Sequence, residues 1–207
     1  MTPSSPNRVT LALTGASGVQ YGLRLLECLL ATEQQVFFLV SKAAKVVLAT
    51  EMDLEFGDTP AAIEQYLVDR FQAAPKQIRV FGEDDWMSPV ASGSGAPGSM
   101  VICPCSTGTL SAIACGLSNN LVQRAATVVL KERRKLIIVP RETPYSEMHL
   151  ENMLKLSRMG SVVLPASPGF YNRPKTVDDM VDFIVARILD QLGLYQELMP
   201  SWGGQGG

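Results

Sequence analysis

Apolar residues in this chain form short runs typical of buried strands, separated by longer stretches with helical spacing. The predicted strands are Val9–Leu13, Val36–Val40, Ile78–Phe81, Met100–Cys103, Leu136–Val139 and Val162–Leu164. The predicted helices are Gly18–Ala31, Ser41–Thr50, 60–73, Ser106–Cys115, Leu121–Lys131, Ser146–Arg158 and Val177–Leu192. Because strands alternate with helices, we expect βαβ units and a mostly parallel, doubly wound sheet with helices on both faces.

The length and composition fit a single α/β domain over residues 1–207, with disordered tails at 1–7 and 203–207. The chain is 46% hydrophobic and 18% charged, which is typical of a globular protein. Its net charge of −2 gives no reason to expect a nucleic acid partner. No apolar run approaches the ~20 residues of a membrane span, and the polar start lacks the apolar core of a signal peptide. We therefore expect no membrane association and a cytoplasmic location.

Four cysteines and one histidine, with no Cys-x-x-Cys pair, argue against a structural zinc site, and we expect no metal. Cys103 and Cys105 flank a proline at the end of a predicted strand, where we expect small buried thiols. The segment Ser88–Ser99 is rich in serine, glycine and proline, so a flexible linker is one interpretation. Because strands and helices continue unchanged on both sides, we favour a mobile loop within one domain, placed to cover a site.

Two loops that contain glycine and hydroxyl residues follow predicted strands and open predicted helices. They are Thr14–Gly18, after the first strand, and Ser106–Thr109, after the fourth. Backbone N–H groups at a helix start favour an anion such as a phosphate, although glycine turns and capped helix starts without a ligand have the same pattern. The second strand is followed by Ser41 and Lys42 rather than by an acidic residue that could hold a ribose. A mononucleotide such as FMN therefore fits better than a dinucleotide.

A third candidate site follows the fifth predicted strand, where Arg141 and Glu142 come directly after Pro140. Open α/β sheets place their ligands beyond the carboxyl ends of the strands. At that position Arg141 supplies a fixed cation for an anionic group, and Glu142 supplies a carboxylate able to accept or donate a proton. The alternative is a solvated turn that leads into the next helix.

Several segments together resemble those of the UbiX flavin prenyltransferases, which belong to the FMN-binding flavoproteins that also include the cysteine decarboxylases. The segments are Thr14–Gly18, Cys103–Thr109, Asn119–Leu121, Pro140–Glu142 with His149–Met153, and Pro168–Tyr171. The resemblance extends from Thr10 to Trp202 and implies a Rossmann-like or flavodoxin-like fold. It implies a metal-independent reaction in which dimethylallyl monophosphate alkylates reduced FMN at flavin N5 and C6. It also implies a homo-oligomer, often a dodecamer, that supplies prenylated FMN to a UbiD-type decarboxylase in ubiquinone biosynthesis.

The resemblance also implies roles for individual residues. FMN would be held by Gly15, Ala16, Ser17, Ser41, Ser106, Thr107, Gly108, Thr109 and Arg141. The prenyl phosphate would be bound, or its pocket lined, by Ser92, Gly93, Arg124, Lys131, Arg141, Glu142, Tyr171 and Arg187. The residues implied to take part in catalysis are Ser17, Glu51, Lys131, Glu142, Tyr171 and Trp202.

Within that set, Ser17 and Glu51 would assist proton transfer near the flavin, and Glu142 would lie at the leaving phosphate. Trp202 would cover the prenyl group. Ordinary alternatives stand beside these roles. The basic residues of Leu121–Lys131 could form a solvated helix face, and Glu51 could be an exposed helix end. Tyr171 and Trp202 could be ordinary packing residues.

Two other functions remain open. An FMN-dependent decarboxylase of peptidyl-cysteine type would, by the same resemblance, need a histidine well before the middle of the chain and a Pro-Ala-Ser-Ala-Asn-Thr motif. This chain has no histidine before His149, which we interpret as structural, and carries Pro104–Thr109 in place of that motif. The second alternative is a non-catalytic flavin carrier or decarboxylase subunit, against which the basic residues and Glu142 argue.

Overall fold

Residues 7–199 are described by a computed structural model and form a six-stranded sheet with seven α-helices. The strands are β1 (Arg8–Leu13), β2 (Gln35–Val40), β3 (Ile78–Phe81), β4 (Ser99–Cys105), β5 (Lys135–Pro140) and β6 (Val162–Val163). The helices are α1 (Val19–Ala31), α2 (Lys42–Met52), α3 (Pro60–Phe71), α4 (Thr107–Ala114), α5 (Leu121–Lys131), α6 (Glu147–Arg158) and α7 (Val177–Leu192). A short 3-10 helix at Pro89–Ala91 lies between β3 and β4.

The strand order across the sheet is β3-β2-β1-β4-β5-β6, and every neighbouring pair is parallel. This is the order of the Rossmann doubly wound sheet, so the predicted fold class is confirmed. The order reverses between β1 and β4. The crevice outside the carboxyl ends of these two strands is where such folds bind ligands.

Successive strand residues face two separate cores, one on each side of the sheet. In β1, Leu11 and Leu13 lie in the first core, whereas Ala12 lies in the second. Helices α1, α2, α3 and α7 cover the first core, and α4, α5 and α6 cover the second. Because both faces are buried, the central strands read as continuous apolar runs rather than as alternating ones.

The ends of several elements differ from the sequence prediction. Strand β4 continues to Cys105, with a register shift against β5 between Ile102 and Cys105. Asn7 is not part of a disordered tail, since its carbonyl oxygen accepts the backbone N–H of Gln35 at 2.9 Å. The other tail residues, 1–6 and 203–207, lie outside the described part of the chain. No helix within residues 7–199 combines the length and apolar character needed to cross a membrane.

The serine- and glycine-rich segment before β4 is fastened to α5 and to the residues that follow it. Arg134 donates hydrogen bonds to the carbonyl oxygens of Gly93 and Ala96, each at 2.7 Å. Arg124 donates from Nε to the carbonyl oxygen of Ala91 at 3.0 Å. The two arginines thus hold the backbone of the segment at three carbonyl groups, and the mobility of the loop stays a prediction. The segment leads to the amino end of β4, away from the crevice.

Candidate functional site

Thr14 joins the two loops that flank the crevice between β1 and β4. Its hydroxyl donates to the carbonyl oxygen of Pro104 at 2.9 Å and accepts the backbone N–H of Ser106 at 2.7 Å. The residue is buried, and its own backbone N–H donates to the same carbonyl oxygen at 3.2 Å. These bonds place the two predicted phosphate loops side by side. Sequence reasoning missed this role, since a threonine at a strand end has no motif of its own.

Helix α4 begins directly after this junction. The Oγ of Ser106 accepts the backbone N–H of Thr109 at 3.2 Å and donates to the Thr109 hydroxyl at 3.0 Å. Gly108 is exposed in the first turn, and a Cβ added there would have no atom within 4 Å. The space beside this backbone is therefore open, and the first turn presents N–H groups that have no partner within the helix.

The loop after β1 is packed against the start of α2. A Cβ on Gly15 would overlap the Cβ of Ala43, so only glycine allows this close approach. Ser41 caps α2 by accepting the backbone N–H of Ala44 at 3.1 Å, and its own N–H donates to the carbonyl oxygen of Leu13 at 3.0 Å. The predicted cap is confirmed, and Ser41 lies at the same edge of the sheet as Gly15 and Ala16.

Glu51 reaches this loop from the last turn of α2. Its Oε2 accepts the backbone N–H of Gly18 at 2.9 Å and that of Val19 at 3.4 Å. Gly18 is the N-cap of α1 and has no side chain to cap it, so Glu51 supplies the missing acceptor and a favourable negative charge. The structure places Glu51 within one residue of the exposed Ser17 along the loop. Glu51 is thus more than an exposed helix end.

Arg141 and Glu142 follow β5 at the same edge. The Nε of Arg141 is buried without a hydrogen-bond partner, which is costly for a guanidinium N–H unless a ligand accepts it. The Oε2 of Glu142 accepts the Thr107 hydroxyl at 3.4 Å, and its Oε1 accepts the backbone N–H of Thr143 at 3.2 Å. The third loop is therefore connected to the start of α4, and the residues predicted to hold FMN meet at one edge of the sheet.

A second set of predicted residues lies on a different surface, along α5. Arg124 and Lys131 line a groove of about 690 Å³ together with Arg133 and Lys155. Four cations around one groove favour an anionic ligand. Arg124 is partly buried, whereas Lys131 is exposed and pairs with Glu132.

Ser92 and Gly93 adjoin this groove rather than the crevice. A Cβ on Gly93 would overlap the carboxylate of Glu132, which itself pairs with Lys131. Among residues 7–199, no hydrogen bond or ion pair connects Arg124 or Lys131 to the arginine and glutamate that follow β5. A single copy of the chain therefore divides the residues predicted to bind the prenyl phosphate between two surfaces.

The remaining predicted residues belong to other segments of the chain. Arg187 is exposed on α7 and pairs with Asp190 at 2.6 Å. Tyr171 is exposed in the segment after β6. Trp202 lies outside the described residues. His149 is structural, as predicted, because its Nδ1 accepts the backbone N–H of Ser146 at 3.2 Å and so completes the capping box of α6.

Comparison with known proteins gives consistent matches. The family model Flavoprotein matches residues 2–189. The flavin prenyltransferase UbiX of Pseudomonas aeruginosa is 61% identical over 202 residues, which cover 98% of this chain and 97% of that protein. A dodecameric FMN-dependent UbiX-like decarboxylase from Escherichia coli O157:H7 is 40% identical, with a TM-score of 0.83 over 96% of this chain and 100% of that chain.

A second solved structure, of a UbiX protein (PadA1) in complex with FMN and dimethylallyl pyrophosphate, is 35% identical, with a TM-score of 0.85 over 97% of this chain and 100% of that chain. The cysteine decarboxylase TvaF is only 16% identical, with a TM-score of 0.57, and shares the fold alone. The identity and nearly complete coverage select one branch of the flavoproteins. The chain belongs to the Flavoprotein family and, within it, to the UbiX flavin prenyltransferases.

Proposed function

We propose that this protein transfers the dimethylallyl group of dimethylallyl monophosphate to N5 and C6 of reduced FMN. The bond between prenyl C1 and the phosphate ester oxygen breaks as a bond from C1 to flavin N5 forms, and N5 gives up its proton. Ring closure then adds flavin C6 across the prenyl double bond: prenyl C2 gains a proton, prenyl C3 bonds to C6, and C6 loses its proton. One inorganic phosphate leaves for each flavin that is prenylated. The buried, unpartnered Nε of Arg141, in a loop that Glu142 connects to the open start of α4, is the structural observation that supports this function most directly.

The residues at the crevice fit FMN as a ligand. Two loops, one after β1 and one after β4, offer backbone N–H groups and hydroxyls of the kind that bind a phosphate. Gly108 leaves room for the ligand to approach the backbone, Gly15 lets its loop pack against the start of α2, and Arg141 adds a cation with an unused donor. FMN, when bound, supplies the nucleophilic nitrogen and the ring carbon of the reaction.

The division of the predicted residues between two surfaces supports an active site built from two copies of the chain. The crevice carries Arg141 and Glu142, whereas the groove on α5 carries Arg124 and Lys131. A homo-oligomer that packs the groove of one copy against the crevice of the next would bring the four residues together. The E. coli relative is dodecameric, and we propose the same assembly here.

In that assembly the chain's own residues would act mainly through charge. Negative charge grows on the phosphate as the allylic C–O bond breaks, so the cations of Arg124, Lys131 and Arg141 would stabilise the transition state more than the ground state. Glu142 would exchange a proton with the departing phosphate, and its anchoring by Thr107 would fix the carboxylate for that purpose. Glu51 would hold the loop that carries Ser17 and accept or pass a proton there.

The test uses purified full-length protein, reduced FMN and dimethylallyl monophosphate under anaerobic conditions. We expect mass spectrometry to find flavin that has gained one C5 unit, with an equal amount of inorganic phosphate released. Dimethylallyl alcohol in place of the ester is the matched control, because it lacks the leaving group. Unchanged flavin and no phosphate release from the ester would disprove the proposed function.

The proposal extends to the next step of the pathway. Prenylated FMN is the cofactor that a UbiD-type decarboxylase uses, so such an enzyme is the proposed recipient. Adding the reaction mixture to a cofactor-free UbiD-type decarboxylase should restore decarboxylation, and a mixture made without dimethylallyl monophosphate should not.

A further inference from the structure

Tyr145 lies between the Arg141 loop and helix α6, and its ring is held in place from two sides. It directly precedes Ser146, the N-cap of α6. The ring packs against the second core and meets the His149 ring edge to face, with centroids 6.5 Å apart and planes at 87°. His149 is itself fixed by the backbone N–H that Ser146 donates to its Nδ1. The phenol therefore projects from a rigid base.

This ring lines a small cavity beside Arg141 and Glu142. The cavity has a volume of about 200 Å³ and is also lined by Ala166 and Ser167, which follow β6. Arg141 also lines the cavity, and its Nε is buried without a hydrogen-bond partner. Within residues 7–199, the Tyr145 hydroxyl makes no hydrogen bond, although it is close enough to both charged groups to be influenced by them.

The Tyr145 hydroxyl is a donor at neutral pH. Partial burial, and next the negative charge of Glu142, raise the pKa of the phenol above its usual value, and the guanidinium of Arg141 opposes this only in part. The cavity therefore presents two donors, on Arg141 and Tyr145, and one carboxylate, on Glu142. An anion with several oxygens and one acidic proton satisfies all three, because the oxygens accept and the proton is donated to the carboxylate.

A phosphate monoester has this combination of groups, since its second pKa is about 6 and the singly protonated form is present near neutral pH. We propose that Tyr145 is a further binding residue of the site, whose hydroxyl donates a hydrogen bond to the phosphate of a monoester held at Arg141. This inference rests on the proposed function, in which both reactants, FMN and dimethylallyl monophosphate, are phosphate monoesters.

The experiment compares Tyr145→Phe with the parent protein. Phenylalanine keeps the ring against His149 and removes only the hydroxyl, so the melting temperature of Tyr145→Phe should be close to that of the parent protein. Tyr195→Phe is the matched control, because Tyr195 is exposed near the end of the described chain and bonds to Glu197. Tyr145→Leu, which also removes the ring, reports how much of any effect comes from packing.

Two measurements identify which phosphate is bound. If the ester is FMN, Tyr145→Phe should weaken FMN about tenfold and leave riboflavin, which lacks the phosphate, unchanged. If the ester is dimethylallyl monophosphate, its KM should rise about tenfold with kcat nearly kept. Equal constants for Tyr145→Phe and the parent in both measurements would overturn the inference.

Different results would contradict the proposed prenyl transfer and the proposed role of Tyr145. A parent protein that binds FMN but makes no prenylated flavin contradicts the proposed function, and the comparison of FMN with riboflavin in Tyr145→Phe still tests the role of Tyr145. If the parent protein makes the product, and Tyr145→Phe has the same rate, KM and FMN affinity, then only the binding role of Tyr145 is disproved.

Discussion

The hydroxyl of Thr14 and the backbone nitrogen of Ser106 lie 2.7 Å apart, and this bond joins two loops that are 92 residues apart in the chain. Valine has nearly the shape of threonine but no hydroxyl. Thr14→Val would therefore leave the N–H of Ser106 without its acceptor and would remove one of the two hydrogen bonds to the Pro104 carbonyl oxygen. An unsatisfied buried polar group costs about 1–3 kcal/mol. We expect a loss of unfolding free energy of that size in chemical denaturation, together with weaker FMN binding because the two loops lose their register.

Thr50→Val is the control for this substitution. Thr50 is exposed on α2, and its hydroxyl donates to the carbonyl oxygen of Val46 within the same helix. Its replacement should change the unfolding free energy and FMN affinity little. Equal stability of Thr14→Val and the parent would show that the junction does not depend on the hydroxyl.

Glu51 acts on α1 from another helix, so its removal should affect both the fold and the reaction. Glu51→Ala deletes the acceptor of the Gly18 N–H, and loss of an N-terminal cap costs about 0.5–2 kcal/mol. Glu51→Gln keeps an acceptor oxygen but cannot take up a proton in the same way. We expect Glu51→Gln to unfold close to the parent and yet to make product more slowly, whereas Glu55→Ala, an exposed neighbour, should match the parent in both. Normal turnover by Glu51→Gln would limit Glu51 to a structural role.

The elements could be predicted from sequence because both faces of the sheet are covered and each strand is a distinct apolar run. The contacts between residues of the site could not be predicted in this way. Glu51 and Gly18 are 33 residues apart, and no spacing rule connects a helix end to the start of another helix. The same limit applies to Ser92, whose distance from the crevice depends on the path of the segment before β4. Strand order, which places β1 beside β4, had to come from the structure.

Arg141 should contribute most of its effect through phosphate. Hydrogen bonds to charged groups are worth about 1.5–3 kcal/mol, so Arg141→Ala should weaken FMN or dimethylallyl monophosphate by about ten- to a hundredfold. Riboflavin binding, measured beside FMN by fluorescence quenching, should change much less. Arg70→Ala removes an exposed arginine on α3 and serves as the control. Equal affinities of Arg141→Ala and the parent for both esters would refute the role.

Glu142→Gln should separate proton transfer from binding. The amide oxygen of glutamine can accept the Thr143 N–H while its amide nitrogen donates to the Thr107 hydroxyl oxygen, so FMN affinity should stay near that of the parent. Product formation should slow by at least about tenfold, within the range of general acid–base contributions. Single-turnover mass spectrometry of prenylated flavin measures the rate, and an unchanged rate would remove Glu142 from the mechanism.

The thiols in the central strand should be inert while the protein is folded. Complete burial raises the pKa of both Cys103 and Cys105, and partial burial raises that of Cys28 to about 11. The reactive thiolate therefore forms only at high pH at these positions. We expect iodoacetamide at about pH 8 to leave Cys103 and Cys105 unmodified in the native protein and to alkylate them after unfolding in denaturant. Modification of either one in the native state, located by peptide mass spectrometry, would contradict their burial.

An active site shared between copies can be tested by mixing two impaired variants. Lys131→Ala removes a cation of the α5 groove, and Glu142→Gln changes the crevice, so each pure oligomer lacks one half of every site. If the halves come from different copies, random mixed oligomers contain intact sites, up to about a quarter of the total in an equal mixture. Co-expression of the two variants should therefore raise the rate of product formation above that of either variant alone. If both residues served the same copy, no mixed oligomer would contain an intact site, and the mixture would make product no faster than the average of its parts.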